Sequence, residues 1–370
     1  MIDSAIPQSD WHSQDAFSST LRFRAACARH RVDVETFPHP LVDPEGRPLS
    51  MDSAWFGPRE ASRLLVLVSG MHGLEALPGS AIQVGWIESG GPDALPPDTA
   101  VLMVHQINPW GCAWRRRFNE DNVDLNRNFL DFALPLPENN KYPLVHYAMK
   151  PGAEMGDFGE RSGPFLGALV AEHGIEGTID LLMAGQHQFA DGFAYGGQAA
   201  SWSRRHLESI ASRDAALRRK VCYLEVHSGL GPYGYGQMIS LQMGAVLERT
   251  REWFGQWVFN PRADRKPGEV GYREVPGHSA DGFMTLFPDA EVTPVTLEMG
   301  TYPPPDTLAL LLREHCLYQA GSDAPADQLE QVRAKLQEMH FPADPEWRAA
   351  NWTRGSQVIR QALAGLNNGC

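Results

Sequence analysis

A histidine and a glutamate, His72 and Glu75, lie three residues apart just after the apolar run at residues 64–68. The run predicts a buried strand, and open α/β sheets bind their ligands beyond the carboxyl ends of such strands. An imidazole nitrogen and a carboxylate oxygen can bind one zinc ion together, and a catalytic zinc takes three protein ligands and a water molecule. The pair therefore indicates two of three ligands, while a polar loop without a metal stays open as the alternative.

Two further apolar runs end in residues that suit the same chemistry. Residues 221–227 predict a strand that ends in His227, and residues 292–297 predict one that is followed by Glu298. In a parallel sheet these ends share one edge, so His227 could supply the third ligand. Burial would raise the pKa of Glu298, which suits a general base that takes a proton from a zinc-activated water. A polar strand end for His227 and a buried ion pair for Glu298 are the structural alternatives.

The segment 114–129 is polar and basic, has neither helical nor strand periodicity, and predicts an ordered functional loop. Arg116 or Arg117 could donate to the oxyanion of a tetrahedral intermediate, where one fixed donor contributes ~3–4 kcal/mol. Asn126 and Arg127 could bind a substrate carboxylate, because a guanidinium forms two parallel hydrogen bonds with it. Alternatively, the arginines of this loop pair with its acidic residues, since three adjacent arginines cannot all be catalytic.

The elements that must position these residues alternate between strands and helices. Residues 100–105 predict one more buried strand. Helical patterning occurs at residues 11–30, 79–87, 162–173, 202–220 and 242–258, and again in two or three helices between 305 and 366. The alternation predicts an α/β fold whose mostly parallel sheet is covered on both faces. We divide the chain into an N-terminal helix and β extension at 1–60, a catalytic domain at 61–305, and C-terminal helices at 306–370 that pack on the same domain.

The composition argues against several classes of partner. The chain has 370 residues and a net charge of -13, which disfavours binding to nucleic acid or to anionic membrane surfaces. Its five cysteines are far apart and include no Cys-x-x-Cys pair, which predicts reduced thiols. The first residues show no secretory signal, and no apolar stretch is long enough for a transmembrane helix. We therefore expect a cytoplasmic protein.

Five motifs, read in order, resemble those of the zinc carboxypeptidases, and the resemblance runs from residue 64 to residue 302. They are His72-Gly73-Leu74-Glu75, Asn108-Pro109-Trp110-Gly111, Asp124-Leu125-Asn126-Arg127-Asn128-Phe129, His227 and Glu298. The forms of residues 69–73 and 119–124 most resemble a bacterial branch long listed as a domain of unknown function. The resemblance implies a three-layer α/β/α fold with a central mixed sheet.

The same resemblance implies how a metal and a substrate would be held. One zinc ion per chain would be bound by His72, Glu75 and His227, with Glu298 as general base and acid. In this family a flexible tyrosine ahead of the catalytic glutamate often caps the substrate, and Tyr272 lies at a suitable distance. The rival tyrosines are Tyr233 and Tyr235.

The resemblance also assigns the loop residues and the class of reaction. Asn126 and Arg127 would bind the terminal carboxylate of the substrate, and Arg117, with Arg116 in reserve, would assist the oxyanion. We therefore expect a zinc-dependent metallocarboxypeptidase-like hydrolase acting on a small peptide or acyl amino acid with a free carboxylate. The alternative enzyme is an N-acyl amino acid deacylase of the aspartoacylase and succinylglutamate desuccinylase type. A third alternative is a metal-free binding module on the same fold.

Overall fold

In the computed structural model, which describes residues 11–149, 158–266 and 275–368, a seven-stranded mixed sheet forms the centre of the fold. The strands are β1 Val34–Val42, β2 Pro48–Phe56, β3 Arg63–Ser69, β4 Thr99–His105, β5 Lys220–Gly229, β6 Gly236–Ile239 and β7 Glu291–Gly300. They lie across the sheet in the order β1-β2-β4-β3-β5-β7-β6. The four central strands β4, β3, β5 and β7 are parallel, and antiparallel strands flank them on both sides. The predicted α/β fold with a central mixed sheet is confirmed.

Helices precede, connect and follow these strands. They are α1 Ala16–Arg29, α2 Ala76–Glu88, α3 Pro109–Ala113, α4 Tyr142–Met149, α5 Phe158–Met183, α6 Trp202–Ala211, α7 Ala245–Phe254, α8 Ser279–Met284, α9 Pro304–Gln319, α10 Ala326–His340 and α11 Pro345–Asn367. The tail is helical and breaks near Gly321 and before Pro345, as predicted. In the described part of the chain, no helix has both the length and the apolarity that a membrane crossing needs.

Successive residues of β3 are buried on opposite faces of the sheet, because side chains alternate along a strand. Leu65 and Leu67 belong to a core that includes residues of α2, α7 and α11. Leu64 and Val66 belong to a second core with residues of α6 and α8. Helices thus cover both faces, which gives the three-layer arrangement. A third apolar cluster joins residues of α4, α5, α9 and α10.

Three local features differ from the sequence-based expectation. The helix predicted at 202–220 ends at Ala211, and a short 3-10 turn at Ala215–Leu217 leads into β5. The β pieces near the N-terminus form a hairpin whose second strand pairs with β4, so they extend the main sheet. Strand β6 has no counterpart in the predictions, because four residues that begin with a glycine give too short a pattern.

Candidate metal centre

The turn after β3 places His72 and Glu75 at the carboxyl edge of the sheet. Residues Gly73–Glu75 form a single 3-10 turn that brings the Glu75 carboxylate back towards the His72 ring. A Cβ atom at Gly73 would lie 2.0 Å from the backbone carbonyl carbon of Gly111 and 2.4 Å from the carbonyl oxygen of Arg116. Only glycine leaves room for the 109–117 segment to pack against this turn, so the glycine fixes where the pair lies.

Strands β5 and β7 bring His227 and Glu298 to the same edge. The two residues are direct register partners in the parallel pair, so their side chains leave the sheet on the same face. Both residues lie within their strands rather than after them, because the pairing continues to Gly229 and Gly300. The predicted convergence of strand ends is therefore present, with each strand a few residues longer than its apolar run.

His72, Glu75 and His227 form a buried cluster in which each residue offers one metal-ligand atom, and these atoms lie within 4.8 Å of one another. His72 Nδ1 lies 3.0 Å from Glu75 Oε1, and His227 Nδ1 lies 2.6 Å from Glu75 Oε2. Two imidazoles and one carboxylate are a donor set that zinc accepts in catalytic sites. The three residues expected to be ligands are brought together, and their chemistry fits a zinc ion.

A second carboxylate lies behind each histidine. His72 Nε2 lies 3.2 Å from Asp124 Oδ1, and His227 Nε2 contacts Glu225 Oε1. An N–H that donates to a carboxylate from Nε2 leaves Nδ1 as the ligand atom and fixes the orientation of the ring, as in other metal sites. The sequence analysis gave neither carboxylate this role. The signal for Glu225 was a charged residue inside an apolar strand, two positions before His227 and therefore on the same face.

The ionisation of the cluster follows from these contacts. Burial alone would raise the pKa of Glu75, but the neighbouring rings of His72 and His227 hold it well below its usual range. Burial likewise opposes ionisation of Asp124, yet the adjacent Arg117, Arg127 and His72 keep the pKa of that carboxyl low. Both carboxylates are therefore ionised: Glu75 in the form that binds a cation, and Asp124 in the form that accepts a hydrogen bond from the ring of His72.

Glu298 behaves in the opposite way. Burial raises its pKa, and repulsion from Glu75 raises it further, to about 8. The backbone N–H of Leu230 donates to Glu298 Oε1 at 3.0 Å and fixes the carboxyl group beside the cluster. A carboxyl group with a pKa near neutrality can both accept and return a proton, which is what a general base and acid must do.

The two candidate arginines of the loop have different surroundings. Arg117 lines the cavity beside the cluster, with Nη1 3.5 Å from Glu75 Oε1 and Nε donating to Asp124 Oδ2 at 3.1 Å. Arg116 is fully buried elsewhere: its Nε donates to Glu314 Oε1 at 3.0 Å, and its guanidinium stacks 3.3 Å from the centre of the Tyr318 ring. Arg116 is not among the residues lining the cavity, so its expected contact with an oxyanion has no support in the structure.

Asn126 and Arg127 both line the cavity. The side-chain amide of Asn126 donates to Glu225 Oε1 at 2.9 Å, and its Oδ1 accepts from the backbone N–H of Ser279 at 3.2 Å. Arg127 donates from Nη1 to the Asn126 carbonyl at 2.9 Å and from Nη2 to the Met183 carbonyl at 2.5 Å. These bonds hold the guanidinium group at the wall of the cavity.

The tyrosines expected to cap a substrate are not brought to the cavity among the described residues. Tyr272 lies outside the described ranges. Tyr233 and Tyr235 are exposed, and the Tyr233 hydroxyl donates to Asp344 at 3.0 Å. The alternative that loop arginines pair with acidic residues of their own loop applies to Arg117 and Asp124.

A cavity of about 130 Å³ opens beside the cluster. Its metal end is formed by the cluster with Glu298 and Arg117, and residues of α5 and α9 also line it. Two further histidines, His278 and His340, line it without having been predicted, because nothing in their local sequence marks them. Burial lowers the pKa of His278 to about 3 and also lowers the pKa of His340, so both rings are neutral near pH 7.

Fold and site together define an α/β protein with a candidate metal centre at the carboxyl edge of its sheet. The chain belongs to the family described as protein of unknown function DUF2817, whose model matches residues 18–354. The expected membership in a branch listed as a domain of unknown function is confirmed. No match is found among the curated proteins.

Several solved structures are similar to the chain over most of its length. Carboxypeptidase A from Helicoverpa armigera is 13% identical, with 90% of this chain and 76% of that chain covered and a TM-score of 0.48. Bovine thrombin-activatable fibrinolysis inhibitor is 12% identical, covering 95% and 98%, with a TM-score of 0.44. Succinylglutamate desuccinylase from Chromobacterium violaceum is 12% identical, covering 87% and 74%, with a TM-score of 0.36.

Proposed function

We propose that the protein is a zinc-dependent hydrolase that cleaves a peptide or amide bond next to a free carboxylate, in the manner of a metallocarboxypeptidase. One observation carries the proposal: the buried donor set of His72, Glu75 and His227 shares a cavity with Glu298, a carboxyl group with a raised pKa. A metal-ligand cluster alone would suit a structural site, but a general base beside it in an open cavity suits hydrolysis.

The chemistry divides between the metal and the Glu298 carboxylate. A zinc ion held by the cluster would polarise the scissile carbonyl and lower the pKa of the attacking water towards ~7. Glu298 takes the proton of that water and later delivers it to the nitrogen of the leaving amine. The hydrogen bond from the Leu230 N–H keeps the carboxylate directed at this position throughout.

Two loop residues complete the proposed site. Arg117 lies 3.5 Å from the carboxylate of Glu75 and donates to the oxyanion that develops on the carbonyl oxygen. Arg127, supported by Asn126, binds the free carboxylate of the substrate at the cavity wall. The substrate is thereby aligned with its carbonyl carbon over the cluster and its carboxylate against Arg127.

A second candidate is an N-acyl amino acid deacylase, which needs the same metal, base and carboxylate clamp. The observation in its favour is the size of the cavity. A volume of about 130 Å³ is small beside the ~300–1,000 Å³ of most ligand pockets. An amino acid with a short acyl group fills such a space, whereas a long peptide must extend out of it.

Turnover of matched substrates tests the proposal. Chelator-treated protein, with and without added zinc, is assayed on acylated dipeptides, on N-acyl amino acids, and on the carboxamide of each. We expect zinc-dependent hydrolysis of the free acids and little of the carboxamides. Faster release from dipeptides supports the peptidase, and faster release from N-acyl amino acids supports the deacylase. Equal rates on acids and carboxamides contradict the Arg127 assignment, and no zinc-dependent hydrolysis of any substrate contradicts the proposed function.

A matched pair of substitutions in β7 tests the general base. Glu298→Gln should keep zinc binding but lower kcat by about 10²–10⁴-fold, because the proton acceptor is lost while the ligands remain. Glu291→Gln is the control, since it makes the same chemical change at an exposed position of the same strand. Near-normal turnover in the Glu298 variant would eliminate it as the base.

A further inference from the structure

One side of the cavity is an apolar wall formed by Ile179, Met183, Leu308 and Leu311. Ile179 and Met183 are four residues apart on α5, and Leu308 and Leu311 are three residues apart on α9. Such spacings place each pair on one face of its helix. The two helices belong to the same apolar cluster, so the wall is supported from behind by packed side chains.

The apolar wall adjoins the proposed carboxylate clamp. Arg127 Nη2 donates to the carbonyl of Met183 at 2.5 Å, and the aliphatic part of Arg127 passes within 2.7 Å of where a Cβ of Gly185 would be. Arg127 therefore lies against α5 at the edge of the apolar wall. A residue whose carboxylate is bound by Arg127 would be the part of the substrate nearest to that wall.

Charge is confined to the other surfaces of the cavity. Among the described lining residues, the carboxylates are Glu75 and Glu298 and the guanidinium groups are Arg117 and Arg127. All four already have partners or roles at the metal end or the clamp. A charged substrate side chain placed against α5 and α9 would lose its water and meet no opposite charge among the described lining residues, which costs several kcal/mol in an apolar environment.

We propose that the apolar wall selects substrates whose carboxylate-bearing residue has an uncharged, apolar side chain, such as leucine or phenylalanine. This inference rests on the proposed function, since it takes the leaving amino acid to be held by Arg127. It assigns the selection to α5 and α9, neither of which supplies a metal ligand. Apolar side chains are bound by burial, and basic or acidic ones are rejected by uncompensated desolvation.

A panel of acetyl-glycyl dipeptides that differ only in the terminal residue tests the preference of the zinc-loaded wild-type chain. We expect kcat/KM for terminal leucine or phenylalanine to exceed that for arginine or glutamate by at least about 100-fold. Equal or better hydrolysis of a charged terminal residue would overturn the inference. The same peptides, titrated calorimetrically into zinc-loaded Glu298→Gln, separate the two proposals. Apolar preference in binding without wild-type hydrolysis overturns only the proposed function, and binding without preference overturns the inference.

A change in the apolar wall should change the preference. Leu308→Asp places a carboxylate in the wall and should raise the ratio of arginine to leucine substrates by at least about tenfold. Ala309→Asp is the matched control, because the adjacent residue of α9 is exposed and should leave the ratio unchanged. If Leu308→Asp does not fold, Leu308→Asn replaces it, with a loss of the leucine preference expected. An unchanged ratio in the folded variant, or an equal change in the control, would refute the role of the wall.

Discussion

Asp124→Asn should weaken zinc binding although Asp124 is not itself a proposed ligand. The carboxylate accepts from three sides: from His72 Nε2 at 3.2 Å, from Arg117 Nε at 3.1 Å, and from the backbone N–H of Asn126 at 3.0 Å. Asparagine keeps the shape of the side chain but loses the negative charge. It also exchanges one acceptor oxygen for an N–H₂ group, which must face one of these donors.

The expected magnitude follows from the role of that contact. Loss of a carboxylate behind a metal-ligating histidine costs about 10–100-fold in metal affinity. That range equals about 1.4–2.8 kcal/mol of binding free energy. The ion pair with Arg117 also loses its negative partner, so turnover should fall further than zinc occupancy alone explains, because the oxyanion donor is held less firmly.

Competition with a chromophoric chelator measures the zinc dissociation constant of each variant, and circular dichroism verifies that the variant is folded. Asp121→Asn is the control, because Asp121 lies in the same loop but is exposed. It should bind zinc as wild type does. Zinc affinity within about threefold of wild type in folded Asp124→Asn would refute the reasoning, as would an equal loss in the control.

Three further predictions concern stability and local packing. In metal-free protein, Glu298→Gln should reduce the loss of stability between pH 5 and pH 8 by about 3–4 kcal/mol, measured by urea unfolding. The pKa of Glu298 is about 8 when folded and ~4.3 when unfolded, so unfolding releases its proton and stability falls as pH rises; an unchanged pH dependence would contradict this. Glu314→Gln should lower the free energy of unfolding by about 3–5 kcal/mol, because two buried arginines lose their shared anion. Glu330→Gln removes an exposed ion pair and should lower the free energy of unfolding by less than about 1 kcal/mol. Similar losses in the Glu314 and Glu330 variants would contradict the importance of the buried ion pairs of Glu314. Gly73→Ala should reduce zinc affinity at least about tenfold, since its Cβ would meet backbone at 2.0 Å; the open position Gly167→Ala should have no effect, and zinc titration of both distinguishes the cases.

The central strands were predictable because burial on both faces makes them continuous apolar runs. Polar residues come at the end of each run, and they mark where the strand leaves the core. The prediction that the metal-ligand residues come together followed from this pattern, once the strands were assumed to be parallel. The choice between Arg116 and Arg117 did not follow from it. Consecutive residues point in different directions, and a positive φ of 50° at Arg115 redirects the chain just before them. The local sequence does not show that Arg116 pairs with Glu314, which is almost two hundred residues away in the chain.

The residues that line the cavity also could not be predicted from the sequence. Helical periodicity in the tail indicates that α9 and α10 each bury one face, but not which neighbour that face meets. Nothing in the sequence distinguishes Leu308 and Leu311 from ordinary core residues, or His340 from a polar residue at the end of a helix. These three residues line the cavity because α9 and α10 pack together in the third apolar cluster, next to the carboxyl edge of the sheet.

The register of β5 against β7 has a consequence for how such a protein can diversify. His227 and Glu298 are held opposite each other by the backbone ladder, about 4.8 Å apart across the sheet, whatever side chains surround them. Loops and helices at this edge can be exchanged, lengthened or reshaped without altering that separation. Grafting α9 and its flanking loops from a homologue is therefore a practical way to engineer a new selectivity while the reactive pair stays in place.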